Sequence, residues 1–275
     1  VFDLSDPANP VHIRDFGLVG QQPGSTGPVP TELHGPISSG NRIYFGYGTE
    51  AGGILQIVDR EKLLTGDPEP TPENLLFPQV SRLDLSSLGG AHTVFPVFDV
   101  PVADHSDFTL ASTRDIVVTV NESGFNECME SPQMMFVTDI TDETTPQVIS
   151  NYQVPESEGN YCSVGGRFGA HSSNENMAPI YYGKLVFISW FNAGVRAVDI
   201  RDPFSPTEVG RFIPRTTSNT DERCVEIDGE ERCKIAIQTN NVEVDDRGFV
   251  YIVDRANTGM HILELTGRAK QIADG

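Results

Sequence analysis

The chain has 275 residues, enough for one large domain or two small ones that bury about three quarters of the unfolded surface. Apolar residues make up 38% and charged residues 21%, a balance typical of globular proteins rather than disordered ones. The net charge of −20 repels nucleic acid and anionic lipid, which leaves proteins, glycans, small molecules and cations as partners. The longest apolar runs, at 115–120 and 184–191, are too short to cross a bilayer, so we predict no membrane span.

Short apolar runs separated by turn residues recur along the chain. They are rich in Val, Ile, Phe and Tyr, and 26 glycines and 19 prolines interrupt them, whereas helical periodicity is nearly absent. In chain order the runs are RIYFGYG, ILQIVD, DIVVTV, MMFVTDI, KLVFISW, VRAVDI, FVYIVD and MHILEL. Runs of this length with such punctuation predict strands and turns, so the expected fold class is all-β.

Five segments share one pattern, a hydrophobic strand that ends in an acidic residue. The acids are Asp3, Asp59, Asp139, Asp199 and Glu264. In three of the five segments a second acid and a proline follow, as in LSDPANP, which predicts a turn capped by the Asp side chain and a strand ended by the Pro. Another strand precedes four of the segments across a tight Gly or Asn turn. We interpret the sequence as repeats of about sixty residues, each a small antiparallel sheet.

Small sheets of this kind bury their faces by packing around an axis, and this predicts a β-propeller. A β-sandwich is the alternative, but it gives no reason for one pattern to recur. We predict a single propeller domain over 1–275, with the end of an incomplete blade at 1–20 and blades at 31–88, 89–155, 165–214 and 235–268. Because the opening VFDLSDP matches the same strand as HILELTG in the final repeat, we expect the chain to begin inside a blade and to lack upstream blades.

These segments resemble the LVIVD-repeat β-propellers, whose units end in a hydrophobic strand, Asp and a turn like SDPANP. The resemblance covers nearly the whole chain and is strongest over 165–214. It implies a bacterial, often exported propeller, and it implies little about activity because that family is largely uncharacterised. One departure concerns the FGAH segment, where similar sequences often carry a second His or polar residue before the Glu, while here Asn174 precedes Glu175.

The four cysteines predict disulfides and an oxidising compartment. Cys224 and Cys233 bracket VEIDGEER, whose central Asp-Gly favours a hairpin inserted before the last blade. Cys128 and Cys162 lie in inserts flanking the MFVTDI strand and form a natural second pair, although four cysteines allow three pairings. Zinc is the alternative, disfavoured because no C-x-x-C occurs. Disulfides would place the protein in the medium, in the periplasm or on the cell surface.

Three of the six histidines occupy the same point of the repeat. His34, His92 and His171 each begin the first strand of a blade, and the matching position of the last repeat is Asn240, with Asn241 beside it. First strands are innermost in a propeller, so we expect three imidazoles and an amide to face one another across the axis. The alternative is that each ring only bonds the backbone of the neighbouring blade.

Several acidic residues lie where they would support such a cluster: Glu32, Glu50, Glu122 and Glu175. Converging imidazoles with a carboxylate suit iron, copper, zinc or manganese. The acidic segments TDITDET and VEVDDRG are weaker candidates for calcium, because neither has the twelve-residue loop pattern. We assign His105 to a solvated loop, His12 and His261 to outer strands, and Phe191 to the core.

Two classes of function fit these observations. The first is an exported or cell-surface module that binds a protein, glycan or small ligand, from which a structural subunit is not distinguishable by sequence. The second is a metal-dependent oxidoreductase or lyase with a histidine-lined channel. Common hydrolase and nucleotide-binding motifs do not occur, and no catalytic residue is predicted. The metal content of the purified protein would discriminate between the two classes.

Overall fold

The computed structural model describes residues 1–102 and 112–275 and is built mainly of antiparallel sheets arranged as a β-propeller. A short hairpin opens the chain, with strands β1 Phe2–Asp3 and β2 Val11–His12. The first blade contains β3 Leu33–Ser39, β4 Arg42–Tyr47, β5 Gly53–Asp59 and β6 Gln79–Ser86. The second contains β7 Thr93–Pro101, β8 Thr113–Val120, β9 Met135–Asp139 and β10 Gln147–Tyr152. His105 lies outside the described residues.

The remaining strands form two further blades and an inserted hairpin. The third blade contains β11 Ser172–Ser173, β12 Leu185–Ser189, β13 Val195–Asp199 and β14 Thr207–Phe212. The hairpin strands are β15 Glu222–Ile227 and β16 Glu230–Ile235. The fourth blade contains β17 Thr239–Val244, β18 Phe249–Asp254 and β19 Met260–Glu264. In every blade the strands are hydrogen-bonded in chain order, which confirms the predicted all-β propeller of four antiparallel blades.

The repeated acidic residues have the structural role that the pattern indicates. Each of the five ends a strand, and in the three complete four-stranded blades that strand is the third. Four of the five accept a hydrogen bond from a backbone N–H two or three residues later: Asp3 from Ser5, Asp59 from Lys62, Asp139 from Thr141 and Asp199 from Arg201. This local bond satisfies the backbone where the ladder ends.

Helices are few and short. They are α1 Arg60–Thr65, α2 Pro72–Leu76, α3 Tyr161–Val164 and α4 Gly267–Asp274, together with a 3₁₀ turn at Glu156–Glu158. The Asp59 side chain caps α1, and Thr71 caps α2. Within the two described ranges, no helix combines the length and the apolarity needed to cross a membrane.

All four cysteines are paired with one another, as Cys128–Cys162 and Cys224–Cys233. The second bridge joins directly opposed residues of β15 and β16, whose turn residues Asp228 and Gly229 both have positive φ. The predicted disulfides and hairpin are therefore confirmed, and the zinc alternative for these cysteines is wrong.

The inner strands of successive blades contact one another. The strand β3 packs against β7, β7 against β11, and β11 and β12 against β17. Between the second and third blades lies an apolar core that includes Val118, Ile188 and Trp190, all almost fully buried. Because the inner strands adjoin, residues at equivalent ends of them come close together in space.

Candidate metal centre

The three repeat-related histidines lie together at one end of the inner strands. His34 is the second residue of β3, while His92 and His171 directly precede β7 and β11. The ring centroids of His34 and His92 are 3.4 Å apart, and those of His92 and His171 are 4.4 Å apart. His92 and His171 are buried, whereas the side chain of His34 is 40% exposed. The cluster thus reaches from the interior to the surface.

The Glu122 carboxylate faces all three rings. Its Oε2 lies 3.5 Å from Nε2 of His92 and 4.0 Å from Nε2 of His34. Its Oε1 lies 3.4 Å from Nε2 of His171. Among the described residues, the ligand atoms of His34, His92 and Glu122 form a group compact enough for one metal ion, all within 4.8 Å of one another.

Contacts between the first two blades hold Glu122 in place. It follows β8, and its backbone N–H donates to the carbonyl of Thr49 at 3.4 Å. The neighbouring Asn121 is buried, where it donates to the carbonyl of Gly90 and accepts from the N–H of Met134 at 3.0 Å. A Cβ on Gly90 would lie 1.5 Å from the Thr49 carbonyl oxygen, so this close approach requires glycine.

A hydrogen bond to the fourth blade orients His171. Its Nδ1 donates to the carbonyl oxygen of Asn240 at 2.5 Å, and the hydroxyls of Ser172 and Ser189 donate to the same oxygen. Since a carbonyl only accepts, Nδ1 carries a proton, and Nε2 is the nitrogen that faces Glu122. On sequence alone, the alternative to a cluster is a bond from each ring to the backbone of the neighbouring blade. For His171 both are present: its ring makes such a bond and also lies in the cluster.

Burial sets the protonation of the cluster. Burial, together with the nearby His171 and His34, lowers the pKa of His92 to about 3, and burial also lowers the pKa of His34. For Glu122, burial acts to raise the pKa, but the interaction with His171 and the neighbouring positive groups outweigh it and lower the pKa to about 2. At neutral pH the site therefore holds neutral imidazoles of His34 and His92 beside an ionised carboxylate.

Two arginines flank the same carboxylate, and the sequence interpretation missed both. Nη1 of Arg167 lies 3.2 Å from Glu122 Oε1 and 3.0 Å from the Ser123 carbonyl oxygen, and Nη1 of Arg255 lies 3.7 Å from the same Oε1. Both guanidinium groups lie over the ring of Phe191, at 5.4 and 5.9 Å from its centroid. For Arg167, the sequence did contain a signal: it is a basic residue just before the GAH motif in a strongly acidic chain.

Phe191 was predicted as core, and it is fully buried. However, its φ of 36° lies in a region that bulky residues rarely adopt, and its ring centroid is 5.0 Å from that of His171. Phe191 therefore fills the core and also packs its ring against the histidine cluster, and its backbone is strained.

Other predicted site residues lie apart from the imidazole nitrogens. Within the described chain, Glu122 is the only acid within 4.0 Å of the ring nitrogens of the three clustered histidines. Glu32 contacts Gly48 through its backbone, Glu50 pairs with Thr49, and the N–H of Glu175 donates to Glu243. The Asn240 side chain donates to Asn241, so the expectation that its amide faces the rings is corrected: its main-chain carbonyl does so.

A cavity of about 550 Å³ lies away from the cluster, between the outer parts of the third and fourth blades and α4. Phe187, Val250 and Ile262 are among the residues that line it, and no histidine does. The convergence of titratable groups, rather than cavity size, therefore identifies the candidate site.

The fold and this cluster together define a β-propeller with three histidines and one carboxylate at one end of its inner strands. No family model and no curated protein match the chain, so membership of the LVIVD-repeat family stays a prediction. Among solved structures, apo AztD from Citrobacter koseri is similar to this chain at 12% identity with a TM-score of 0.33. The match covers 88% of this chain and 50% of that one, so this chain spans about half the length of that structure.

Proposed function

We propose that this protein is an exported binding propeller whose ligand is a first-row transition metal ion held by His34, His92, His171 and Glu122. The spacing between the carboxylate and the rings carries the proposal. Its N–O distances of 3.4 to 4.0 Å exceed the usual hydrogen-bond range of about 2.7–3.2 Å. Two ligands of one tetrahedral ion, with bonds of about 2.1 Å, lie about 3.4 Å apart, which is close to the spacing of the carboxylate from each ring. His34, His92 and Glu122 form the compact group, which His171 would join as the fourth ligand.

The protonation of the site supports the same proposal. A metal ion needs deprotonated nitrogen and oxygen ligands. The lowered pKa values of His34, His92 and Glu122 keep these ligand atoms deprotonated at neutral pH. The bond from Nδ1 of His171 to a backbone carbonyl is the type of outer contact that orients a metal-bound imidazole.

The ligand set favours some metals over others. Three imidazoles and one carboxylate suit zinc, copper or iron, whereas manganese prefers more oxygen ligands. Calcium is disfavoured at this cluster because it takes about six to eight oxygen ligands.

Other observations support the exported location and the family assignment. Both disulfides support an oxidising compartment, such as the periplasm or the cell exterior. The acid-capped strand ends support the LVIVD-repeat assignment. Binding is the function that the geometry supports best, and an oxidoreductase or lyase reaction at the same ion stays a prediction.

Metal analysis and calorimetry of the purified, disulfide-intact protein test the proposal. We expect about one zinc ion per chain, and stabilisation of about 2.7 kcal/mol when free zinc is a hundred times the Kd. Replacing the three histidines by alanine should abolish binding, and Glu122→Gln should weaken it by about tenfold or more. His12→Ala serves as the matched control, because His12 is an exposed histidine outside the cluster. Equal binding by the triple variant and the wild type would refute the site.

A further inference from the structure

The arginine pair beside the cluster is built differently from an ordinary surface ion pair. Arg167 precedes the third blade and Arg255 directly follows β18, yet both reach Oε1 of Glu122. In the described part of the chain, Glu122 is the only carboxylate within 4.0 Å of either guanidinium. Two positive charges therefore share one negative charge.

A buried glutamine fixes the spacing of the two arginines. The side-chain Oε1 of Gln238 accepts the backbone N–H of Arg167 at 2.9 Å, and its main-chain carbonyl accepts the backbone N–H of Arg255 at 2.9 Å. The ring of Phe191 lies beneath both guanidinium groups. The hydrogen bonds to Gln238 and the contact with the Phe191 ring thus fix the positions of the two arginines.

The guanidinium of Arg255 is partly exposed to solvent. Its side chain is 43% exposed, and its guanidinium donates no hydrogen bond to any residue in the described ranges. A planar guanidinium with free donors fits a carboxylate through two parallel hydrogen bonds.

Charge balance indicates when an anion would bind. A divalent ion held at Glu122 beside two arginines places about four positive charges around one carboxylate, an excess of about three. A small anion that touches both the ion and Arg255 would reduce this excess.

We infer that Arg255 and Arg167 form a subsite for a small carboxylate that also coordinates the bound metal ion, so that the ligand of this propeller is a metal–carboxylate pair. This inference rests on the proposed function. It deepens that function by naming the second ligand class and the residues that select it. Malonate, a small dicarboxylate, is the probe.

Two titrations test the inference. Zinc is first titrated into the protein alone, and malonate is then titrated into protein loaded with one equivalent of zinc. We expect saturable malonate binding to the loaded wild type, weakened by about tenfold or more in Arg255→Ala and less in Arg255→Lys. In Arg255→Ala the zinc affinity without malonate should be unchanged or higher, because a repelling charge has been removed.

Arg247→Ala is the matched control. It removes the same charge from the other end of β18, where Arg247 pairs with Asp245, and malonate binding should persist. Three results would overturn this inference while leaving metal binding intact. They are no malonate binding by the zinc-loaded wild type, malonate binding by Arg255→Ala as tight as by the wild type, and binding of phosphate but not malonate by the loaded protein. A chain that binds no zinc in the first titration would overturn both.

Discussion

At the scale of single residues, burial keeps the imidazole of His92 neutral. Its pKa falls from 6.5 to about 3 on folding, so the unfolded chain takes up the proton more readily than the folded one. His34, with a pKa also lowered by burial, acts in the same direction. Glu122, with a folded pKa of about 2 against 4.5, adds stability above pH 4.5 that is lost as the pH falls towards 2.

These shifts predict a pH dependence of stability for the metal-free protein. Below pH 6.5, the share of the unfolding free energy due to His92 should fall by about 1.4 kcal/mol per pH unit, until the pH nears its folded pKa. Urea unfolding with a chelator, at about pH 7, 6 and 5, measures this slope. His92→Gln should flatten it, and His12→Gln should not. Parallel slopes for wild type and His92→Gln would show that burial does not hold this ring neutral.

At the scale of elements, two disulfide-bonded inserts are joined to each other. Glu127, next to Cys128, pairs with Arg232 and with Lys234 of β16, the latter at 3.1 Å. The amide of Asn126 donates to the carbonyl of Cys224 at 2.9 Å. Ion pairs and a hydrogen bond thus join the two inserts, and Asn126 also pairs with Arg167 beside the histidine cluster.

Removing each bridge should cost stability according to the length of chain that it closes. The Cys128–Cys162 bridge spans 34 residues and the Cys224–Cys233 bridge spans 9, which corresponds to about 4 and about 3 kcal/mol from unfolded-chain entropy. Denaturant unfolding of the two Cys→Ser pair variants measures these losses. Because the inserts touch, the losses in the fourfold variant should not add. Two losses of equal size, or strict additivity, would contradict this interpretation.

At the scale of the whole molecule, the propeller assembles one site from all four blades. His34 comes from the first blade, His92 and Glu122 from the second, His171 from the third, and the Asn240 carbonyl from the fourth. The whole chain carries a net charge of −20, so the folded state concentrates like charges on its surface.

This charge predicts that salt stabilises the protein. Raising sodium chloride from about 0.05 to about 1 M screens the repulsion and should raise the thermal midpoint by several degrees at about pH 7.5. Calorimetry at both salt concentrations measures the shift. Near the isoelectric point of about 4.5 the same salt change should have little effect, which provides the control. A midpoint that falls with salt at pH 7.5 would mean that attractive ion pairs outweigh the repulsion.

Local chemistry made the strands, turns and hairpin predictable from sequence. Alternating apolar runs, an Asp that caps the following turn and an Asp-Gly pair between cysteines each act over a few residues. The equivalence of His34, His92 and His171 followed from the repeat, because repeats place equivalent residues at the same end of successive inner strands.

Only the tertiary structure decided which groups meet at the cluster. Of four candidate acids, packing between the first two blades brought Glu122 to the rings, and no local pattern distinguishes it from Glu50. Asn240 had the predicted position, but the strand turned its carbonyl rather than its amide towards His171. Arg167 and Arg255 are far apart in sequence and meet over Phe191 because the blades fold around a common axis. Such long-range convergence depends on how blades pack, and strand periodicity carries no information about it.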